Sequence, residues 1–325
     1  MSSHGGTRAI IAALTANAFI AATKFGAWAL TGAASMLAEG VHSVADTGNQ
    51  ILLLRGGRVA QREATDEHPF GYGRAPFISA FLVSVILFSL GGLFALYEAF
   101  HKLEEVLHGV PNELLEGGWW WVPLVVLGAA IVAEGFSFRT AIRESLPLKG
   151  TQSWPRFIRT SKSPDLPVIL LEDFAALLGL LFALLGVGLT LVTHNGVWDV
   201  VGTSLIGVLL IIVAITLAIE TRSLLLGESA TSEAVSAITA SLASAAGVQR
   251  VIHLKTLHLG PDEVLVAAKI AVEPTESAAR VAEVIDNAEV AIRAANPQVT
   301  ALYLEPDIDR STAGDAAPAT GTSAG

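Results

Sequence analysis

Two side chains with metal-binding chemistry, His42 and Asp46, stand four residues apart inside a mostly apolar stretch, 35–55, that is long enough to cross a bilayer. Residues at that spacing share one helix face. Imidazole plus carboxylate is a donor pair suited to zinc and similar divalent ions. An ionisable pair at membrane depth marks a transport path or a buried site by default. Glu39 and Asn49 extend the same face at steps of three and four, so the helix carries one polar stripe. Hydrogen bonding between helices would explain such a stripe too, but that role rarely needs a full carboxylate at mid-membrane. The expectation is a membrane protein that moves a divalent metal ion.

A second polar pair, Glu172 and Asp173, interrupts an apolar run at 166–192. Adjacent residues on a helix point about 100° apart. The Glu172 face continues through Ala176, Gly179, Ala183 and Gly186, whereas the Asp173 face continues through Leu177, Leu180 and Leu184. Small residues allow close helix approach in membranes, which turns Glu172 toward a tightly packed neighbour. At 1.5 Å per residue, Asp173 lies roughly 14 Å from Pro164, and Asp46 roughly 14 Å from Arg55, so both helices can present carboxylates at one level.

The elements that must hold these groups follow from composition. Of 325 residues, 52% are hydrophobic and 15% charged, too apolar for an ordinary soluble protein. Six segments have the length of a span: 9–31, 35–55, 76–100, 119–138, 167–192 and 198–220. Arg55, Arg58, Arg62 and Arg74 lie between the second and third spans, and Arg139, Arg143, Lys149, Arg156, Arg159 and Lys162 between the fourth and fifth. Cytoplasmic loops collect such residues, so both termini are expected in the cytoplasm of a cell (inner) membrane protein. Trp119, Trp120 and Trp121 read as an interfacial anchor, and 146–166 as an exposed linker.

After 222 the pattern becomes mixed and acidic. Helix 233–246, strands 250–257 and 264–272, helix 275–294 and strand 299–304 give an α-β-β-α-β order, a small ferredoxin-like α+β layer. The expected organisation is a cytoplasmic segment 1–8, a six-helix transmembrane bundle 9–222, a cytoplasmic α+β domain 223–308 and a disordered tail 309–325. The absence of cysteine rules out thiolate metal sites, disulfides and cysteine catalysis. A net charge of −10 offers no general basic surface, so nucleic acid is not an expected partner. No His-Glu-x-x-His or defensible serine nucleophile supports a membrane enzyme.

The run Met36-Leu37-Ala38-Glu39-Gly40-Val41-His42-Ser43-Val44-Ala45-Asp46, followed by Asp66-Glu67-His68-Pro69-Phe70-Gly71-Tyr72-Gly73-Arg74, resembles the cation diffusion facilitator family, in particular its zinc-transporter-like members. The resemblance covers most of 8–307. It implies a homodimer in the lipid bilayer that exports a divalent cation in exchange for protons, with no cofactor beyond the transported ion. The family's site uses His or Asp with Asp on the second helix and His-x-x-x-Asp on the fifth. His42 and Asp46 match the first half. Aligning the family's glycine with Gly179 makes Asp173 the fifth-helix ligand, with Glu172 a fourth or supporting donor, and leaves Ile169 where a His would stand. Losing an imidazole moves the preference from Zn2+ toward harder ions such as Mn2+, with Fe2+ and Co2+ also eligible.

A regulatory or scaffold member that does not transport is the alternative, suggested by Ile169. Antiport follows from charge, since an emptied pair of desolvated carboxylates binds protons. Lys24 is the nearest cation able to interfere, and its long stem is expected to snorkel or pair elsewhere. His68 is a candidate peripheral ligand against a turn shaped by Pro69, Gly71 and Gly73. His253 and His258 point to opposite faces of their strand and make no metal pair.

Overall fold

The computed structural model describes residues 18–310; the expected N-terminal segment 1–8 and most of the tail 309–325 lie outside them. The chain divides into two compact units, which meet in sequence at Leu226 and Gly227.

The first unit is built from long helices. We label the described part of the first, 18–31, α1. It is followed by α2 (Ala34–Ala60), α3 (Ala75–Leu107), α4 (Val122–Lys149), α5 (Asp165–Thr193) and α6 (Val197–Leu226). By length and apolarity alone, α3, α4, α5 and α6 can cross a membrane. The 27-residue α2 does not reach that apolarity among the described residues, because Glu39, His42, Asp46, Asn49 and Gln50 lower its hydropathy.

Helix ends depart from the expected spans in one place that matters. Residues 146–166 are mostly exposed, as expected of the linker, but they are structured: α4 runs on to Lys149 and a short helix forms at Trp154–Thr160. Pro155 suits the first turn of that helix, and Phe157 is buried against Ala141 and Leu170, which pins the connection to the bundle.

Close approach of α5 and α6 rests on glycine. A Cβ on Gly186 would meet the Trp198 carbonyl oxygen at 2.9 Å, and one on Gly202 the Phe182 carbonyl oxygen at 2.8 Å. Further along α5, a Cβ on Gly179 would lie 2.8 Å from Glu39 Oε1 of α2. The small-residue stripe of α5 therefore serves two neighbours, α6 near Gly186 and α2 near Gly179. Within α3 the hydrogen bonding widens to a π-helical stretch at Leu87–Leu93, where Gly92 packs on the backbone of Gly207 in α6.

The second unit has the expected order. It comprises α7 (Ser232–Ser244), β1 (Arg250–Gly260), β2 (Glu263–Ala271), α8 (Ala278–Ala295) and β3 (Val299–Asp307), with sheet order β1-β2-β3. β1 and β2 pair antiparallel, β2 and β3 parallel. Thr231 and Ser277 cap the two helices by accepting from the N–H groups of Ala234 and Arg280. Val264, Val266, Ala268 and Ile270 alternate toward Ile238, Leu242, Val284, Ala288 and Ile292 to form one core. His258 is buried and His253 exposed, on opposite faces as expected.

Gly202→Ala should lower stability by about 1–3 kcal/mol, the usual cost of forcing an extra group into a packed contact. Gly188→Ala, with open space at its Cβ position, should stay within about 0.5 kcal/mol of the native protein or gain slightly. Thermal unfolding of both variants in detergent checks the pair; equal losses would contradict the close crossing.

Candidate metal centre

The stripe on α2 turns inward. Glu39 and Asn49 are fully buried and His42 is 1% exposed, while Asp46 is only partly covered. His42 Nδ1 lies 3.5 Å from Asp46 Oδ1. Neither ring nitrogen of His42 has a hydrogen-bond partner, nor has Asp46 Oδ1, although all three atoms are shielded from solvent. Buried polar groups are normally satisfied, so these atoms await a partner.

Glu172 of α5 faces α2. Its Oε1 accepts from Asn49 Nδ2, and its carboxyl group also meets that of Asp46. Asp173, one residue on, points toward α4, where Ser137 Oγ donates to its Oδ2 at 2.9 Å. Both nevertheless line the same cavity of about 180 Å³, together with Ser43, Asp46, Gln50 and Glu134. A second, wider cavity of about 510 Å³ shares Gln50, Ser137, Glu172 and Asp173 with it and runs past Ile169 to Arg58 and Gln61. The polar chamber is thus bordered by a wider space at the arginine-bearing end of α2. At the other end, Ser35 and Met36 are fully buried.

Lys24 has a different place from that of a snorkelling side chain. It is 1% exposed, and its Nζ donates to Glu39 Oε2 at 2.9 Å and to Ser43 Oγ at 2.8 Å. A fixed cation does therefore sit beside the chamber, but its charge is matched by Glu39. Pairing explains how a lysine is tolerated at this depth, since an unpaired buried charge is prohibitive.

Asp199 of α6 is a further buried carboxylate, outside the expected site residues. It accepts from the Ala34 N–H at 2.8 Å and from Ser35 Oγ at 2.5 Å, while its own N–H donates to Thr190 Oγ1 at 3.0 Å. An anion supplied by another helix thus caps the N-terminus of α2, where free N–H groups and the helix dipole favour it. Glu134 and Ser137 on α4 were also missed, although an acidic residue in a span is itself a signal.

Not every candidate converges. Among the described residues, no three His, Asp or Glu side chains stand in a ready-made arrangement for a metal ion. They meet in pairs instead, His42 with Asp46 and Asp46 with Glu172, while Asp173 faces the chamber from the α4 side. His68 lies in an exposed turn in which Gly71 adopts φ +78°, its N–H donating to the His68 carbonyl at 2.9 Å.

Comparison with known proteins gives concordant results. Residues 10–226 match the family described as the cation efflux transmembrane domain, and residues 230–306 the cytoplasmic domain of cation efflux proteins. The proton-coupled zinc antiporter SLC30A9, mitochondrial, of Mus musculus is 33% identical over 269 residues, covering 82% of this chain and 46% of that protein. Metal tolerance protein C4 of Arabidopsis thaliana is 28% identical, covering 81% of this chain and 56% of its own. A solved MamM CTD aligns with a TM-score of 0.23 at 18% identity, over 23% of this chain and 95% of that one. The chain spans about half the length of the curated relatives named here.

Lys24→Met should destabilise the protein by about 3–5 kcal/mol by leaving Glu39 buried and unpaired. The double change Lys24→Met with Glu39→Leu should recover most of that loss, because replacing both charges is often neutral. Unfolding midpoints of the three proteins check this. A single variant as stable as the native protein would contradict the buried pair.

Proposed function

Since the chain belongs to the cation efflux family, we propose that it exports a divalent metal cation, zinc in the first instance, in exchange for protons, through a site between α2 and α5. The observation that carries this reading is the set of shielded, unbonded atoms of His42 and Asp46 beside a chamber lined by Glu172 and Asp173. A divalent cation supplies the missing partner, and the imidazole and carboxylates are donors it accepts.

Protons compete with the ion for the same oxygens. When the ion departs, carboxylates in a low dielectric cannot stay bare. Lys24 relieves them only in part, because its charge is shared with Glu39. Exchange of one positive species for another couples the two flows, provided the site opens to each side in turn. The wider cavity on the side of Arg58 supports an arrangement open toward the cytoplasm, if arginine-rich ends face inward. In this reading both termini are cytoplasmic and the membrane is the cell (inner) membrane. The relative SLC30A9 is named mitochondrial.

Homodimerisation belongs to the same proposal. The face of the sheet away from α7 and α8 carries Leu257 paired with Leu265, and Tyr303, which is 57% exposed, beside Ala267. An apolar face of that kind suits a second copy of the domain.

Metal uptake into sealed vesicles holding the purified protein, with a pH gradient imposed, tests the function. Metal entry should drive protons out of the lumen. His42→Ala and Asp46→Ala should each reduce uptake to background while the protein stays folded. Native rates in either variant would reject the site, and uptake indifferent to the gradient would reject antiport. Asp173→Asn should weaken metal binding more than Glu172→Gln, by at least about 10–100-fold, given that loss of a supporting partner alone costs that much. Titration calorimetry of both variants checks the order, and the reverse order would make Glu172 the ligand.

A further inference from the structure

Four carboxyl groups from three helices reach the 180 Å³ chamber: Asp46 from α2, Glu134 from α4, and Glu172 and Asp173 from α5. Three have protein partners. Asp46 meets Glu172 and lies by His42, Glu172 accepts from Asn49, and Asp173 accepts from Ser137. Glu134 differs, for among the described residues it forms no hydrogen bond and no ion pair. Its helix is the least enclosed of the candidate spans, with 17% of its most apolar window buried. A carboxyl group on such a helix is expensive in lipid, and this one is turned away from lipid into the chamber.

A donor is missing on the neighbouring helix. Ile169, one turn before Asp173, lines the wider cavity with an apolar side chain, so α5 offers no imidazole there. Independent of the acidic residues, His42 is 1% exposed with both ring nitrogens unbonded, 3.5 Å from Asp46 of the chamber wall. A buried donor in need of a cation thus lies against the chamber wall at Asp46, the adjoining wider cavity carries the apolar Ile169, and the chamber itself holds Glu134, a carboxylate with no hydrogen bond among the described residues.

We propose that Glu134 is a direct ligand of the transported ion, adding a donor from α4 to the carboxylates that α2 and α5 bring to the chamber. The inference rests on the reading of this chamber as the transport site. The resulting ligand set is rich in oxygen, with a single imidazole from His42. Carboxylate-dominated sets accept manganese and iron more readily than mixed imidazole sets do. The ion then joins α4 to α2 and α5, so its arrival and departure act on three helices.

Glu134→Gln and Glu134→His in the purified full chain separate this role from a structural one, with Glu144→Gln, at an exposed position of α4, as control. Binding of Zn2+ and Mn2+ is measured by titration calorimetry, and folding by thermal unfolding. Glu134→Gln should weaken both ions by about 10-fold or more, as expected for a lost charged ligand. Glu134→His should recover zinc over manganese, raising the zinc-to-manganese affinity ratio by about 10-fold or more. Glu144→Gln should match the native protein.

Native affinities in Glu134→Gln, with binding abolished in Asp46→Ala, would overturn the role of Glu134 and leave the site standing. Native affinities in both would overturn the site as well. Weak binding in both Glu134 variants with an unchanged zinc-to-manganese ratio would mark a packing role and also overturn the proposal.

Discussion

A charge carried into a lipid-embedded helix bundle must be matched where it lies, because no water is present to solvate it. That constraint organises the first unit of this protein. Lys24 is tolerated because Glu39 and Ser43 receive it. Asp199 is tolerated because it caps the backbone of α2. On α5, Asn49 holds Glu172 and Ser137 holds Asp173. Each match joins two helices, so polar pairing fixes how α1, α2, α4, α5 and α6 stand around the chamber. Against that background, the unbonded nitrogens of His42 and the free oxygen of Asp46 stand out as a place where the match is left to an ion.

Glycine supplies the second condition. The chamber exists because α5 lies close to α6 at Gly186 and Gly202 and close to Glu39 at Gly179. Van der Waals packing, rather than hydrophobic exclusion, drives such contacts in lipid, and a larger side chain at either crossing would move the carboxylates of α5 from their level. Asp199 acts at the same end of α5 and α6. By holding Ala34 and Ser35 it ties the start of α2 to α6, which anchors the stripe that carries His42 and Asp46.

Much of this was legible from spacing. Steps of three and four put Glu39, His42, Asp46 and Asn49 on one face, and the Ala and Gly stripe turned Glu172 toward packed neighbours. Alternation gave the strands and the opposite faces of His253 and His258. What remained hidden depended on helix rotation and on distance along the chain. Lys24 and Glu39 are far apart in sequence, so their pairing has no local signature. Glu134 is conspicuous as an acidic residue in a span, but which wall it faces depends on how α4 rolls against α5. The connection after α4 looked open because Pro, Ser and basic residues dominate it, whereas two aromatic residues, Phe157 and Trp154, supply the contacts that pin it to the bundle.

The central claim is that metal and protons occupy the same carboxylates in the chamber. Titration of zinc into the purified protein in buffers of different ionisation enthalpy counts the protons expelled as each ion binds. About one or more protons per ion should be released near neutral pH, and the number should fall in Glu172→Gln, which keeps measurable binding but has lost one shared group. Zinc binding that releases no proton in any buffer, or a count unchanged by Glu172→Gln, would contradict the account.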